Sequence, residues 1–344
     1  MVNAILKEIE LRKNEIQEPI KTIYFGGGTP SILSESELNS IFKQLETHFD
    51  ISQVEEVTLE ANPDDLTREK LAFYQTTPIN RFSIGIQSFF EEDLRLMNRA
   101  HNAIEAENCI KLAQEFGFNN ITIDLIYGSN TTTHEMWQQN LQKAVDLGIN
   151  HISSYALTVE EKTILNRKIE KGEWKPIDDQ HQSEQFDYLV QFLEKNGFVQ
   201  YEISNFGKPG YFSKHNSNYW KGIHYIGFGP SAHSYKGQTR GWNIANNAKY
   251  INSIHKDQLP IEIEELSEID QYNEMMMIGL RTIYGINPEE VKTKFNSDIY
   301  ANFQQELKEL FNENLVQQID DKIVLTKEAK FFADGIASRL FYVD

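Results

Sequence analysis

Three consecutive glycines, Gly26-Gly27-Gly28, stand where a strand stops and a helix is about to begin, and no other stretch constrains the chain as much. Thr22 to Phe25 reads as a strand, and Ser34-Glu35-Ser36-Glu37 as a capping box opening a helix over residues 35 to 48. A backbone free of Cβ atoms lets a ligand's polar groups approach its N–H and C=O groups directly. The strand–glycine–helix order places such a site at the carboxyl end of a strand. By itself a glycine run is equally a tight turn that binds nothing.

The same alternation of strand and helix recurs down the chain. Val2, Ile5, Leu6, Ile9 and Ile16 recur at helical spacing before the first strand, so the chain starts inside an amphipathic helix. After the glycine turn, strands are expected at Val54 to Glu60, Arg81 to Ile86, Asn120 to Ile126, His151 to Leu157 and Tyr201 to Ser204. Helices fall between them at Thr67 to Tyr74, Ala103 to Phe116, Met136 to Leu147 and Asp179 to Asn196. Alternating strands and helices predict an α/β fold with a parallel sheet or barrel. Glu60, Gln87, Asp124, Tyr155 and Glu202 are expected at the carboxyl ends of the strands, the rim where barrels of this kind build their sites.

From Asn205 to about Gly241 the periodicity fails and Gly, Pro, His, Asn and aromatic residues dominate. Long irregular stretches in compact domains are commonly lids or binding loops, and this one is too aromatic for disorder. After Pro260 come helices at residues 268 to 283, 288 to 295 and 299 to 314, a short strand pair around Asp320-Asp321, and a last helix from Thr326 to Leu340. Three helices and a hairpin suggest a small winged-helix-like α+β domain. The expected division is a barrel over residues 1–205, an irregular binding segment over 206–259 and a C-terminal helical domain over 260–344.

The 344 residues carry 51 acidic against 33 basic side chains, a formal charge of −18. That balance argues against a nucleic-acid backbone or an anionic membrane surface as the main partner. No stretch approaches the ~20 apolar residues of a spanning helix, and no basic segment followed by an apolar core opens the chain, so a cytoplasmic location is expected. Cys109, the single cysteine, lies in an amphipathic helical pattern and is read as a packed core residue.

Glu60, Gln87, Arg99 and Asp124 come from three βα units, and each alone could be a solvated loop residue. Together they suit a small ligand with an amine, a carboxylate and a sugar, because carboxylates accept from amines and ribose hydroxyls and an arginine clamps a carboxylate. With these residues the sequence resembles the oxygen-independent coproporphyrinogen oxidase-like radical S-adenosylmethionine (SAM) proteins, and within them the HemW-type haem chaperones. Gly26-Gly27-Gly28-Thr29-Pro30-Ser31, Glu60-Ala61-Asn62-Pro63, Arg81-Phe82-Ser83-Ile84-Gly85-Ile86-Gln87-Ser88-Phe89 and Asn98-Arg99-Ala100-His101 carry the resemblance first. Downstream it continues through Asp124-Leu125-Ile126-Tyr127-Gly128, Tyr201-Glu202-Ile203-Ser204-Asn205, His215-Asn216-Ser217-Asn218-Tyr219-Trp220 and Gly227-Phe228-Gly229-Pro230-Ser231-Ala232-His233.

The resemblance implies an open (β/α)6 barrel of the radical SAM type with a small C-terminal domain. Gly27, Gly28 and Thr29 would hold the methionine part of SAM with Glu60 nearby, Gln87, Arg99 and Asp124 would take the ribose and carboxylate, and Ala156 would lie against the adenine. On physics alone His215, in its aromatic loop, is a structural hydrogen-bonder; by the resemblance it ligates haem iron, with His233 a weaker candidate. The function implied is a haem chaperone delivering haem to an acceptor protein, expected to be respiratory, with any membrane contact made through that acceptor. An oxygen-independent coproporphyrinogen oxidase-like enzyme and a cluster-free SAM-binding barrel are the alternatives.

One departure stands out. The family begins with a strand leading to a Cys-x-x-x-Cys-x-x-Cys loop whose thiolates hold a [4Fe–4S] cluster, and neither is present here. Cys109 matches none of those positions, so this chain alone is expected to hold no cluster and to drive no radical chemistry. Truncation inside the first barrel helix is the expected explanation, with a true cluster-free form as the alternative.

Overall fold

The computed structural model describes residues 1–343. Strands β1 (Thr22–Phe25), β2 (Glu56–Ala61), β3 (Arg81–Gln87), β4 (Ile121–Tyr127), β5 (His151–Ala156), β6 (Val199–Glu202) and β7 (Asn205–Gly207) form one sheet in the order β1-β2-β3-β4-β5-β7-β6. The pairs β2/β3, β3/β4 and β4/β5 are parallel, as the alternation predicts for an open βα barrel. The sixth unit differs from expectation. Its strand is followed by a tight return, so β7 inserts antiparallel between β5 and β6. Asn205, read as the start of the irregular segment, therefore begins a ladder strand.

The chain partitions into two compact units. One comprises Tyr24–Ile32 and Val57–Phe212, the other Met1–Ile23, Leu33–Glu56 and everything from Ser213 onward. In the first unit the central strands alternate: Leu59, Phe82, Ile84, Ile123, Leu125 and Ile152 are fully buried on one face, while Glu60, Ser83, Asp124 and Ser153 line up on the other. Period-two alternation thus gives the sheet one apolar face and one polar face, and the polar face carries the cleft residues Glu60, Ser83 and Asp124. Helices Ala103–Glu115, His134–Asp146 and Asp179–Lys195 contribute Ala106, Ile110, Trp137, Leu141, Leu189 and Leu193 to that core. The first of these starts at a capping box in which Asn102 and Glu105 satisfy each other's backbone donors.

In the second unit, helix Val2–Leu11 packs against helices Glu35–His48 and Asn247–His255, with Ala4, Tyr250 and Ile254 forming one apolar cluster. Beneath it lies a polar lock. Glu8 and Arg12, both essentially inaccessible, form an ion pair at 3.1 Å, and Glu8 also accepts from Tyr250, Asn243 and the Gly229 N–H. Arg12 in turn donates to the Gly227 carbonyl and to Ser234. The aperiodic stretch is thus ordered: it holds helix Lys214–Trp220 and strands β8 (His233–Tyr235) and β9 (Thr239–Asn243), and β9 pairs antiparallel with β8 on one side and with β10 (Ile261–Glu265) on the other. The C-terminal part has helices Glu268–Arg281, Pro288–Lys294 and Ser297–Asn312, a hairpin of β11 (Val316–Ile319) and β12 (Lys322–Leu325), and helix Ala333–Arg339. Ile286 bridges Ile323 beside that hairpin, which completes a winged-helix-like α+β arrangement.

Candidate ligand cleft and histidine helix

The first unit carries a polar cleft of about 150 Å3 lined by Gly28, Thr29, Glu60, Gln87, Arg99 and Asp124, together with Pro30, Ser31, Ala61, Asn62, Ser83 and Gly85. Enclosing a whole drug-sized ligand takes ~300–1,000 Å3, so a ligand here would be gripped at one end. Six of the eight residues expected around SAM meet in this cleft. Gly27 stands beside it through its N–H bond to Glu60. Ala156 ends β5 opposite Tyr127 and lies outside the lining.

The glycine loop is shaped by Glu60. Its carboxylate accepts from Tyr24 Oη at 2.7 Å and from the Gly27 N–H at 3.1 Å, so both oxygens orient the loop. A Cβ on Gly26 would lie 2.5 Å from the Tyr24 ring and 2.7 Å from Glu60 Oε1, which only glycine avoids. Gly27 sits at φ +72° and Gly28 at +154°, conformations that L side chains rarely adopt. Behind the loop Ser31 donates to Asp65 at 2.6 Å, and Lys70 donates to the Ser31 carbonyl.

On β3 the strand alternation turns Ser83, Gly85 and Gln87 to one face, and the register slips between Ile84 and Gln87. Gln87 ends the strand at φ +67°, a strained position for a residue with a side chain. Gly85 leaves room for Arg99, whose Nη2 donates to the Gly85 carbonyl at 3.1 Å and to Asn62 at 2.9 Å. Among the described residues, Arg99 Nε is buried with no partner. Asp124 lies in the middle of β4 rather than at its end, on the cleft floor, where a side of it still meets water. Burial raises its carboxyl to about 7, the neighbouring Glu60 charge adds to the rise, and Arg99 opposes it. The acid is thus half-protonated near neutrality, and a cation or hydroxyl pair beside it would favour the carboxylate.

The second unit holds His215 near the start of helix Lys214–Trp220. Ser213 caps this helix, and Glu56 accepts from the N–H groups of Lys214 and His215, both at 2.9 Å, where a negative charge suits the helix dipole. The imidazole is bracketed: Thr22 Oγ1 lies 2.9 Å from Nδ1 and Tyr219 Oη 3.0 Å from Nε2. Burial pushes its pKa down to about 4 against the pull of Glu56, so the ring is neutral at physiological pH. Tyr219 packs edge-on to both His215 and Tyr225, and Arg281 covers the Trp220 ring. His233 is exposed, its ring centroid 6.3 Å from that of Trp242.

Cys109 is buried in helix Ala103–Glu115, donating to the Ala106 carbonyl, and burial pushes its thiol up to about 12. Among the described residues no group of three His, Cys, Asp or Glu side chains is placed to hold a metal ion. Sequence reasoning missed Asn62, Ser83, Thr22 and Glu56. The alternation on β3 could have supplied Ser83, and the Glu60-Ala61-Asn62-Pro63 motif Asn62; nothing local marks Thr22 and Glu56.

Comparison with known proteins is consistent with this geometry. Residues 2–144 match the radical SAM superfamily and residues 266–332 the HemN C-terminal domain. The heme chaperone HemW of Bacillus subtilis is 33% identical over 322 residues, spanning 93% of this chain and 85% of that protein. The HemW of Lactococcus lactis is 33% identical over 95% of this chain and 86% of its own length. The fold is that of Escherichia coli coproporphyrinogen III oxidase (HemN), a radical SAM enzyme, at a TM-score of 0.84 and 21% identity over 98% of this chain and 82% of that one. The chain belongs to the HemW family within the radical SAM superfamily.

Proposed function

We propose that this protein is a haem-binding chaperone that receives haem and delivers it to an acceptor protein, on a barrel that binds SAM. The observation carrying this reading is His215: a neutral imidazole, oriented through one ring nitrogen and set among tyrosines, is the state a haem iron requires of its ligand. Membership of a family whose curated members are heme chaperones supports it. The acceptor is a respiratory haem protein in this proposal. Any membrane contact comes through it, since no helix among the described residues is long and apolar enough to cross a bilayer. A cytoplasmic location completes the reading.

The cleft residues fit one end of SAM. The orphaned Arg99 Nε supports a carboxylate partner, and the Cβ-free loop at Gly27 and Gly28 leaves backbone groups open to an amino-acid moiety. Gln87 and Asp124 would hold ribose hydroxyls, and Ala156 would reach the adenine at the outer edge. SAM supplies a cleavable sulfonium when bound; the protein's part is to grip and orient it, with Asp124 accepting from hydroxyls as a carboxylate. A [4Fe–4S] cluster does not fit the residues of this sequence by itself. Its one thiol is buried and protonated, so no electron-transfer step is assigned to it.

An absorbance titration with haem tests the reading. The wild-type chain should show a saturable Soret shift that His215→Ala loses. No shift in the wild type, or an equal shift in both proteins, would overturn the assignment.

A further inference from the structure

We infer that His215 presents Nε2 to haem iron, and that the Tyr219 hydroxyl is an internal cap that must leave this nitrogen before haem can load. The inference rests on the haem-ligand reading of His215 and adds which atom binds and what competes for it.

The two ring partners differ in what they can give up. Thr22 is the first residue of β1 and is fixed by the strand. Tyr219 follows His215 by one helical turn and is 40% exposed, so its ring can rotate toward water without unpacking the strand. Glu56 adds a second anchor, holding the backbone of Lys214 and His215 through both carboxylate oxygens.

The chemistry of the partners assigns the tautomer. A phenol is a better donor and a poorer acceptor than an aliphatic hydroxyl, so Tyr219 donates to the Nε2 lone pair and Nδ1–H donates to Thr22 Oγ1. Iron needs the same Nε2 lone pair. Loading therefore exchanges an O–H···N bond for an N–Fe bond with no movement of the ring proton, and Thr22 remains the group that sets ring orientation and basicity. Thr22 and Glu56 are positioning residues; Tyr219 is a competitor.

Tyr219→Phe separates the cap from the packing. It keeps the edge-on ring contacts to His215 and Tyr225 and deletes only the hydroxyl. Haem titrations on the full chain, monitored at the Soret band, should find Tyr219→Phe binding about three- to tenfold tighter than wild type, as expected for removal of one competing neutral hydrogen bond. Thr22→Val should weaken binding about tenfold or more and alter the Soret maximum, and Thr22→Ser should restore both. Thermal melts confirm that each variant is folded. Equal or weaker binding by Tyr219→Phe overturns the cap, and an unaffected Thr22→Val overturns the choice of Nε2. Haem binding retained by His215→Ala overturns instead the reading beneath both. Loss in His215→Ala together with weakening in Tyr219→Phe leaves that reading standing and refutes only the cap.

Discussion

The charge state of Asp124 should control how stability follows pH, and Asp124→Asn isolates that control. Burial raises this carboxyl from 3.8 to about 7, with Glu60 reinforcing and Arg99 opposing the shift. A folded pKa above the unfolded one means that the stabilising contribution is complete below pH 3.8 and is lost as pH rises through about 7. Three units at ~1.36 kcal/mol each make the full contribution about 4 kcal/mol. Roughly 2.5 kcal/mol of it disappears between pH 5 and pH 8. Asp124 keeps a water-facing side on the cleft floor, and screening there leaves about 1–2.5 kcal/mol over that interval. The variant carries no titrating group at this position, so its stability should fall less. Urea denaturation of both proteins at pH 5 and pH 8 measures the difference directly, with the wild type losing the extra about 1–2.5 kcal/mol. Parallel losses in the two proteins would refute the argument that burial holds this acid protonated near neutrality.

Gln87→Ala should weaken SAM binding about five- to twentyfold, read by calorimetry, while the melting curve stays within about 1 kcal/mol of wild type; unchanged affinity would remove Gln87 from the site. Glu8→Ala should destabilise the fold by about 2–4 kcal/mol in urea denaturation, because it leaves the buried Tyr250, Asn243 and Gly229 donors without their acceptor, while Arg12 keeps its second carboxylate, Glu15, at 2.9 Å. A loss below about 1 kcal/mol would mean that water replaces the carboxylate.

The barrel was legible because its signals are local. A strand, three glycines and a capping box lie within one short stretch, and Ser34 and Glu37 do form the reciprocal cap. Each later βα unit repeats the change of period from 2 to 3.6. The hairpin of β6 and β7 was not legible, since β7 has only three residues and its place between β5 and β6 is a long-range choice. The order in the aperiodic stretch was hidden for another reason. Strands β8 and β9 are three and five residues long, and β9 pairs with a β10 whose Ile-Glu alternation faces mostly water. The lock that fixes the loop at Gly227 and Gly229 is supplied by Glu8 and Arg12, more than two hundred residues earlier.

The two sites divide in the same way between local and long-range signals. Gln87, Arg99 and Asp124 could be nominated because each is a polar residue where a strand or its following loop faces a cleft. Their electrostatics could not be, because the shift of Asp124 depends first on its burial and then on Glu60 from one strand and Arg99 from a loop. For His215 the contrast is sharper. The aromatic context Tyr219-Trp220 is visible in the sequence, yet the group on Nδ1, Thr22, and the carboxylate that anchors the backbone at His215, Glu56, lie 193 and 159 positions away. Both look like ordinary first residues of strands, and only their hydrogen bonds to the Lys214–Trp220 helix give them a role. A ligand atom's identity is thus a property of tertiary contacts: the motif names the imidazole, and the fold chooses between Nδ1 and Nε2.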